Sequence, residues 1–207
     1  MSVLAGRRVV VIDVETTGWS AATDSIIEVA CVAVHGGAMA GTWSSLVHST
    51  RSVPVEATRI HGITDSMLAS APPPAAVARS FREQCGAETV AIHNAGFDLP
   101  FLAALLRRHG AEPLYNPVIN TLGLARGLYG QGGNSLRELT QRHGIRHEGA
   151  HRALGDARAT AELLLALTPR WESDKGVRSL AELAAASQDA IRLTSKRGPR
   201  PPVSAGV

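Results

Sequence analysis

Two acids end the most apolar run of the chain. Residues 9–18 read VVVIDVETTG, with Asp13 and Glu15 closing a stretch opened by four β-branched aliphatics. On a strand, positions two apart share a face, so both carboxylates project together. Adjacent anions repel, and one is driven neutral unless a cation intervenes; a solvated strand end is the plainer alternative. Thr16, Thr17 and Gly18 follow directly. Hydroxyls and loop N–H groups suit a sugar or phosphate, and a glycine lets backbone approach a ligand. A third acid, Asp98, lies in HNAGFDLPFL at 93–102, between an apolar strand and Leu99-Pro100. It reads as a helix N-cap, or as a group at the strand edge where open α/β sheets collect ligands. The fourth, Asp156, sits in HRALGDARAT, five residues after His151. Five positions on one helix are about 140° apart, so these two cooperate only if His151 lies in the preceding loop. Taken singly, Asp156 is an acid favoured in a first helical turn, and His151 is a surface histidine.

Jointly, the set points to one purpose. Four carboxylates without a thiolate select a hard cation, Mg2+ or Mn2+, over structural zinc. Two such ions about 3.5–4 Å apart stabilise the attacking and leaving oxygens of a phosphoryl displacement. A loop histidine can take the proton from the attacking water.

The elements that must hold these groups are legible in outline. Residues 8–16, 25–34 and 41–48 read as three strands, the second and third joined by a turn at Gly36-Gly37. Short connections make them an antiparallel meander. A helical turn over 55–60 and the loop HGIT at 61–64 follow. Helices are expected over 75–85, 99–109, 135–143 and 153–167, the last stopped by Pro169, with strands at 89–93 and 117–122. A meander followed by alternating helices and strands predicts a mixed α/β sheet with helices packed on it. Residues 179–191 suit one more helix. From Arg192 the chain carries four basic residues, no acid and three prolines, which reads as a basic disordered tail.

Composition narrows the class. The chain has 207 residues, 44% of them hydrophobic, and a net charge of +3, which suits one domain with a sizeable core and permits a polyanionic partner. Cys31 and Cys85 lie far apart outside any metal-binding spacing, as expected of reduced core residues in a cytoplasmic protein. The first strand follows the N-terminus too closely for an apolar signal segment, and no stretch suits a membrane span.

VIDVETTG, HNAGFDLPFL and HRALGDARAT, in this order, resemble the three motifs of the DEDDh 3′–5′ exonucleases. The likeness is to the bacterial DnaQ-like type, that of the epsilon proofreading subunit of DNA polymerase III. It covers roughly residues 7–168 and includes RIHGITDSML and NSLRELTQRHGI. The resemblance implies an RNase H-like fold with a five-stranded mixed sheet flanked by helices. With the change of composition after Trp171, the expected organisation is an exonuclease domain over 1–170, an extra helix within 171–191 and the basic tail over 192–207. The resemblance also implies that Asp13, Glu15, Asp98 and Asp156 hold two divalent cations, Asp98 through water, and that His151 is the general base. Thr16, Thr17, Gly18, His61 and Asn94 are then candidate contacts to the terminal nucleotide.

The expected reaction is release of nucleoside 5′-monophosphates from a 3′ end. Single-stranded or frayed DNA is favoured over RNA because the chain has few aromatics on which to stack bases. Exoribonuclease action is the alternative within the family. A module docked to a polymerase subunit or a sliding clamp is the alternative outside it. QDAIRL at 188–193 faintly resembles a clamp-binding peptide but reads better as a helix end.

Overall fold

The computed structural model describes residues 2–195. The chain runs β1 (Arg8–Thr16), β2 (Ile26–His35), β3 (Ala38–Leu46), α1 (Val55–His61), α2 (Asp65–Ala69), α3 (Pro74–Cys85), β4 (Thr89–Ile92), α4 (Ala95–Arg108), β5 (Val118–Asn120), α5 (Thr121–Tyr129), α6 (Leu136–His143), α7 (Ala153–Asp174) and α8 (Leu180–Ser195). The five strands form one sheet in the order β3-β2-β1-β4-β5. β1, β2 and β3 pair antiparallel, while β4 joins β1 and β5 joins β4 in parallel. This is the RNase H-like architecture expected from the motifs.

β1 is central and covered on both faces, hence its unbroken apolar run. Val9 and Val11 face a core built with α5, α6, α7 and α8. Val10, Ile12 and Val14 face a second core built with α3 and α4. Asp13 and Glu15 share parity with Val9 and Val11, so they emerge on the α7 side where that core ends. Cys31 and Cys85 are buried free thiols in the other core.

Several boundaries differ from the sequence expectation. β3 begins at Ala38, directly after Gly36 and Gly37, both at positive φ, and a bulge opposite Ala33–Val34 absorbs the extra residue. Helix α4 begins at Ala95, so Asp98 is inside the helix and not its cap; the cap residue is Asn94, at φ 63°. The strand expected over 117–122 is only Val118–Asn120, and α5 follows at once. That helix was hidden by its glycines, whose purpose is tertiary. A Cβ on Gly123 would stand 1.9 Å from the Ser187 carbonyl oxygen, and one on Gly127 would stand 2.4 Å from Trp171. Helix α7 continues through Pro169 to Asp174. Trp171 is buried and its Nε1 donates to the Leu124 carbonyl at 3.1 Å, so packing carries the helix past the proline. α8 reaches Ser195, so the first four residues of the expected tail are helical; residues 196–207 lie outside the described residues. No helix among the described residues is long and apolar enough to cross a membrane.

Candidate active site

Asp13 and Glu15 hang from the end of β1, beyond the last β1–β4 pair at Ile12 and Ile92. Asp156 arrives from the first turn of α7, whose buried Ala153, Ala157 and Ala161 dock it on the sheet. Oxygens of Asp13, Glu15 and Asp156 lie within 4.8 Å of one another. Asp98, in the first turn of α4, is buried beside them, with its own N–H and that of Val14 near enough to favour its charged form.

This crowding has an electrostatic signature. Burial first, then the charges of Asp98, Asp156, Glu15 and Glu28, raise the Asp13 carboxyl well above its usual range. Burial and the Asp156 charge push Glu15 to about 8, while Arg152 pulls the other way. Burial raises Asp98 to about 7 against its two backbone donors. Such a set is under-neutralised, and its oxygen-only donors fit a hard divalent cation that would relieve the repulsion.

His151 lies in the loop before α7 and not on the helix. It is exposed, holds φ at 60°, and its backbone N–H donates to Asp156 Oδ1 at 3.2 Å. His147 was not anticipated. Its Nε2 stands 2.6 Å from the same Asp156 oxygen, with only 14% of its side chain exposed. Nine residues separate the two, a spacing with no periodic meaning, so only the loop path brings them together.

Beside Glu15 opens a cavity of about 490 Å³, walled by Thr16, Thr17, Gly18, His61, Trp19 and Phe97. Four of the five candidate substrate contacts are therefore together. The hydroxyls of Thr16 and Thr17 are engaged locally: Thr16 Oγ1 donates to the Gly18 carbonyl at 2.6 Å, and Thr17 Oγ1 accepts from the Ser25 N–H at 3.1 Å. At Gly18 a Cβ would meet the Asp24 carboxylate at 2.6 Å, so the backbone there packs closely on that side chain. His61 is buried at the end of α1. Its Nδ1 accepts from the Ile63 N–H at 3.0 Å, and burial lowers its pKa, so the ring is neutral with hydrogen on Nε2. That Nε2 has no well-formed partner, although the Thr16 carbonyl lies near enough to favour the charged ring. Asn94 stands apart; it is exposed and lines a different depression, with His93 and Asn134.

The aromatic wall was missed by counting residues. Trp19 is 83% exposed and meets Phe97 edge-on at 5.8 Å between ring centroids, and Phe97 packs on Phe101 at 5.2 Å. Few aromatics exist, but two of them line this cavity, with buried Phe101 packed behind Phe97.

Residues 10–164 match the family model described as Exonuclease (RNase_T). The chain is 40% identical over 176 residues to the PolC-type DNA polymerase III of Bacillus subtilis, covering 84% of this chain and 12% of that protein. It is 37% identical over 183 residues to a putative bifunctional exonuclease/endonuclease protein of Mycobacterium tuberculosis, covering 84% of this chain and 28% of that protein. The chain thus spans a minor part of the length of these relatives. Exonuclease X, solved with 5′ overhanging duplex DNA, superposes with a TM-score of 0.68 at 28% identity, covering 86% of this chain and 99% of that one. Escherichia coli exonuclease I, solved with a dT13 oligonucleotide, shares the fold at a TM-score of 0.74 and 20% identity, covering 82% and 43%.

Proposed function

Because the chain belongs to the exonuclease family, we propose that it is a metal-dependent 3′–5′ exonuclease that removes nucleoside 5′-monophosphates from single-stranded or frayed DNA. The observation that carries this reading is the convergence of Asp13, Glu15 and Asp156 beside a cavity large enough for one unstacked nucleotide. Asp13, Glu15 and Asp156 would hold the cation, Mg2+ or Mn2+, and Asp98 would support a second. When bound, such ions supply charge for the attacking and leaving oxygens.

The chain's own residues supply the rest. Thr16, Trp19, His61 and Phe97 exclude water from the terminal nucleotide and orient it against Glu15. The neutral His61 ring closes this wall, with its Nε2 hydrogen buried near the Thr16 carbonyl. The ring of His151 is exposed and two residues before the start of α7, so it can reach a water poised against the carboxylates and take its proton. His147 is less suited, since its Nε2 is already committed to Asp156.

DNA is favoured over RNA because Exonuclease X was solved with DNA and the PolC-type relatives are DNA polymerases. Those relatives also support action in proofreading or repair, next to a polymerase. A clamp-docking role for residues 188–193 gains nothing, because they belong to α8, where Gln188 Nε2 donates to the Val118 carbonyl at 3.2 Å and Ala190 is buried. The test is a gel assay of matched 5′-labelled and 3′-labelled DNA and RNA oligonucleotides with Mg2+, with Mn2+ and with EDTA. A metal-dependent ladder on 5′-labelled DNA, with the 3′ label released at once, is expected. Cleavage of internal bonds before terminal ones, or faster trimming of RNA, contradicts the proposal.

A further inference from the structure

A fifth carboxylate sits at the edge of this site and belongs to none of the motifs. Glu28 on β2 pairs directly with Glu15 on β1, so both side chains leave the sheet on the same face. Placing one more buried anion opposite a crowded set is costly unless it has partners of its own. Glu28 has three. Arg152 Nε donates to Oε2 at 3.0 Å and Nη2 to Oε1 at 2.6 Å, a two-pronged fork. The Ala153 N–H adds a third bond, to Oε2 at 3.0 Å. Only 6% of the Glu28 side chain is exposed, against 41% for Arg152.

Ala153 is the first residue of α7, and Arg152, its cap residue, makes no side-chain capping bond. Glu28 therefore satisfies an orphan donor at the start of this helix from a neighbouring strand. Arg152 also directly follows His151. The segment before it, residues 148–151, is exposed throughout. It crosses the first turn of α7 over Gly155, where a Cβ would stand 2.2 Å from the Gly149 carbonyl oxygen. It is tied down at two ends, by His147 on Asp156 and by Arg152 on Glu28. α7 itself does not depend on these ties, because Ala157, Thr160, Ala161 and Leu164 bury its inner face. His151 has no such burial: besides its own N–H on Asp156 and the Arg152 N–H on the Gly149 carbonyl, these two ties are what hold its segment.

We infer that Glu28 and Arg152 form a positioning pair that anchors the His151 segment from strand β2 and fixes where the general base stands over the carboxylates. This rests on the exonuclease reading above for the role of His151. Neither residue touches the reacting phosphate. A bidentate pair suits the task because a fork fixes direction as well as distance, which a lysine in place of Arg152 would not.

The experiment compares Glu28→Gln, Arg152→Ala and Arg152→Lys, each alone and with His151→Ala, on a single-stranded DNA oligonucleotide. Glu28→Gln keeps the volume and Arg152→Ala trims a half-exposed side chain, so both are expected to fold, as a thermal melt would verify. The pair predicts a fall in kcat of about tenfold or more with KM within about threefold, and partial recovery in Arg152→Lys relative to Arg152→Ala. In the His151→Ala background the same changes should cost almost nothing further, since the residue they position is gone. Hydrogen exchange at residues 149–153 should speed up in Glu28→Gln and in Arg152→Ala, with α7 beyond residue 160 unchanged. A raised KM at unchanged kcat would make Arg152 a phosphate contact and overturn the inference. So would losses that multiply undiminished onto His151→Ala. Unchanged exchange at 149–153 would overturn it whether or not the protein cleaves DNA. Failure of the exonuclease reading would instead appear as an inactive wild type.

Discussion

The ring of His147 and the backbone of His151 meet on one oxygen: Asp156 Oδ1 receives His147 Nε2 at 2.6 Å and the His151 N–H at 3.2 Å. One carboxylate thus organises the loop that carries both histidines. The two rings have different surroundings, mostly buried for His147 and exposed for His151, and their removal should differ in effect.

His151→Ala is expected to lower kcat by about 10²–10⁴-fold, the usual worth of a positioned general base. His147→Ala should cost at most about tenfold, because His147 orients Asp156 and the loop without meeting the water. Steady-state kinetics on the same oligonucleotide decide this, and the reverse ranking would reassign the base to His147.

Asp13→Asn should abolish turnover yet leave the metal-free protein as stable or more stable. Burial and four neighbouring acids disfavour the Asp13 charge, so its removal relieves repulsion. A thermal melt without metal checks this; a large drop in Tm would mean that Asp13 holds the fold through contacts other than charge.

The metal-free protein should lose stability as pH rises. For an acid whose folded pKa is raised, the native state holds its proton longer than the unfolded chain, so stability is fully present below the unfolded pKa and falls as pH passes the folded value. Asp98 at about 7 and Glu15 at about 8 set that window. Tm measured between about pH 4 and 9 should fall without metal and flatten with Mn2+ present. A metal-free Tm that rises across this window would contradict the raised pKa values.

How much of this site the sequence disclosed depends on the range of each interaction. Asp13 and Glu15 could be placed on one face because strand parity is a local rule, and β1 obeys it. His151 could be placed off the helix by the same kind of local geometry. His147, Glu28 and Trp19 could not be found, because their roles come from loop path and strand pairing, which leave no periodic trace. Asp98 was read as a cap candidate because Pro100 suggested a helix start; the helix in fact begins four residues earlier, at Ala95, and tolerates the proline inside. The same propensity argument stopped α7 at Pro169 and hid α5 behind Gly123 and Gly127, where packing decides instead.

Trp19→Ala should raise KM for single-stranded DNA by roughly 5- to 150-fold, matching about 1–3 kcal/mol per stacked base, while kcat changes little. Trp19→Phe should recover most of the loss. The exposed ring has little to lose for the fold, so an unchanged KM would show that nucleotides do not stack there.

Gly123→Ala should destabilise by about 1–3 kcal/mol or more, since the added methyl meets the Ser187 backbone and neither helix can yield cheaply. A melt showing several degrees lost, with the active-site kinetics of the folded fraction unchanged, is expected.

The most direct test of the central claim is the identity of the first product. A single-stranded DNA oligonucleotide is treated with the wild type and with Asp13→Asn, with Mg2+ and with EDTA, and the released species are separated by chromatography and weighed. The account predicts that the wild type with Mg2+ releases the 3′-terminal nucleoside as its 5′-monophosphate from the first turnover, and that EDTA or Asp13→Asn removes this product. Release of 3′-monophosphates or of oligonucleotides, or release that persists in Asp13→Asn, would contradict it.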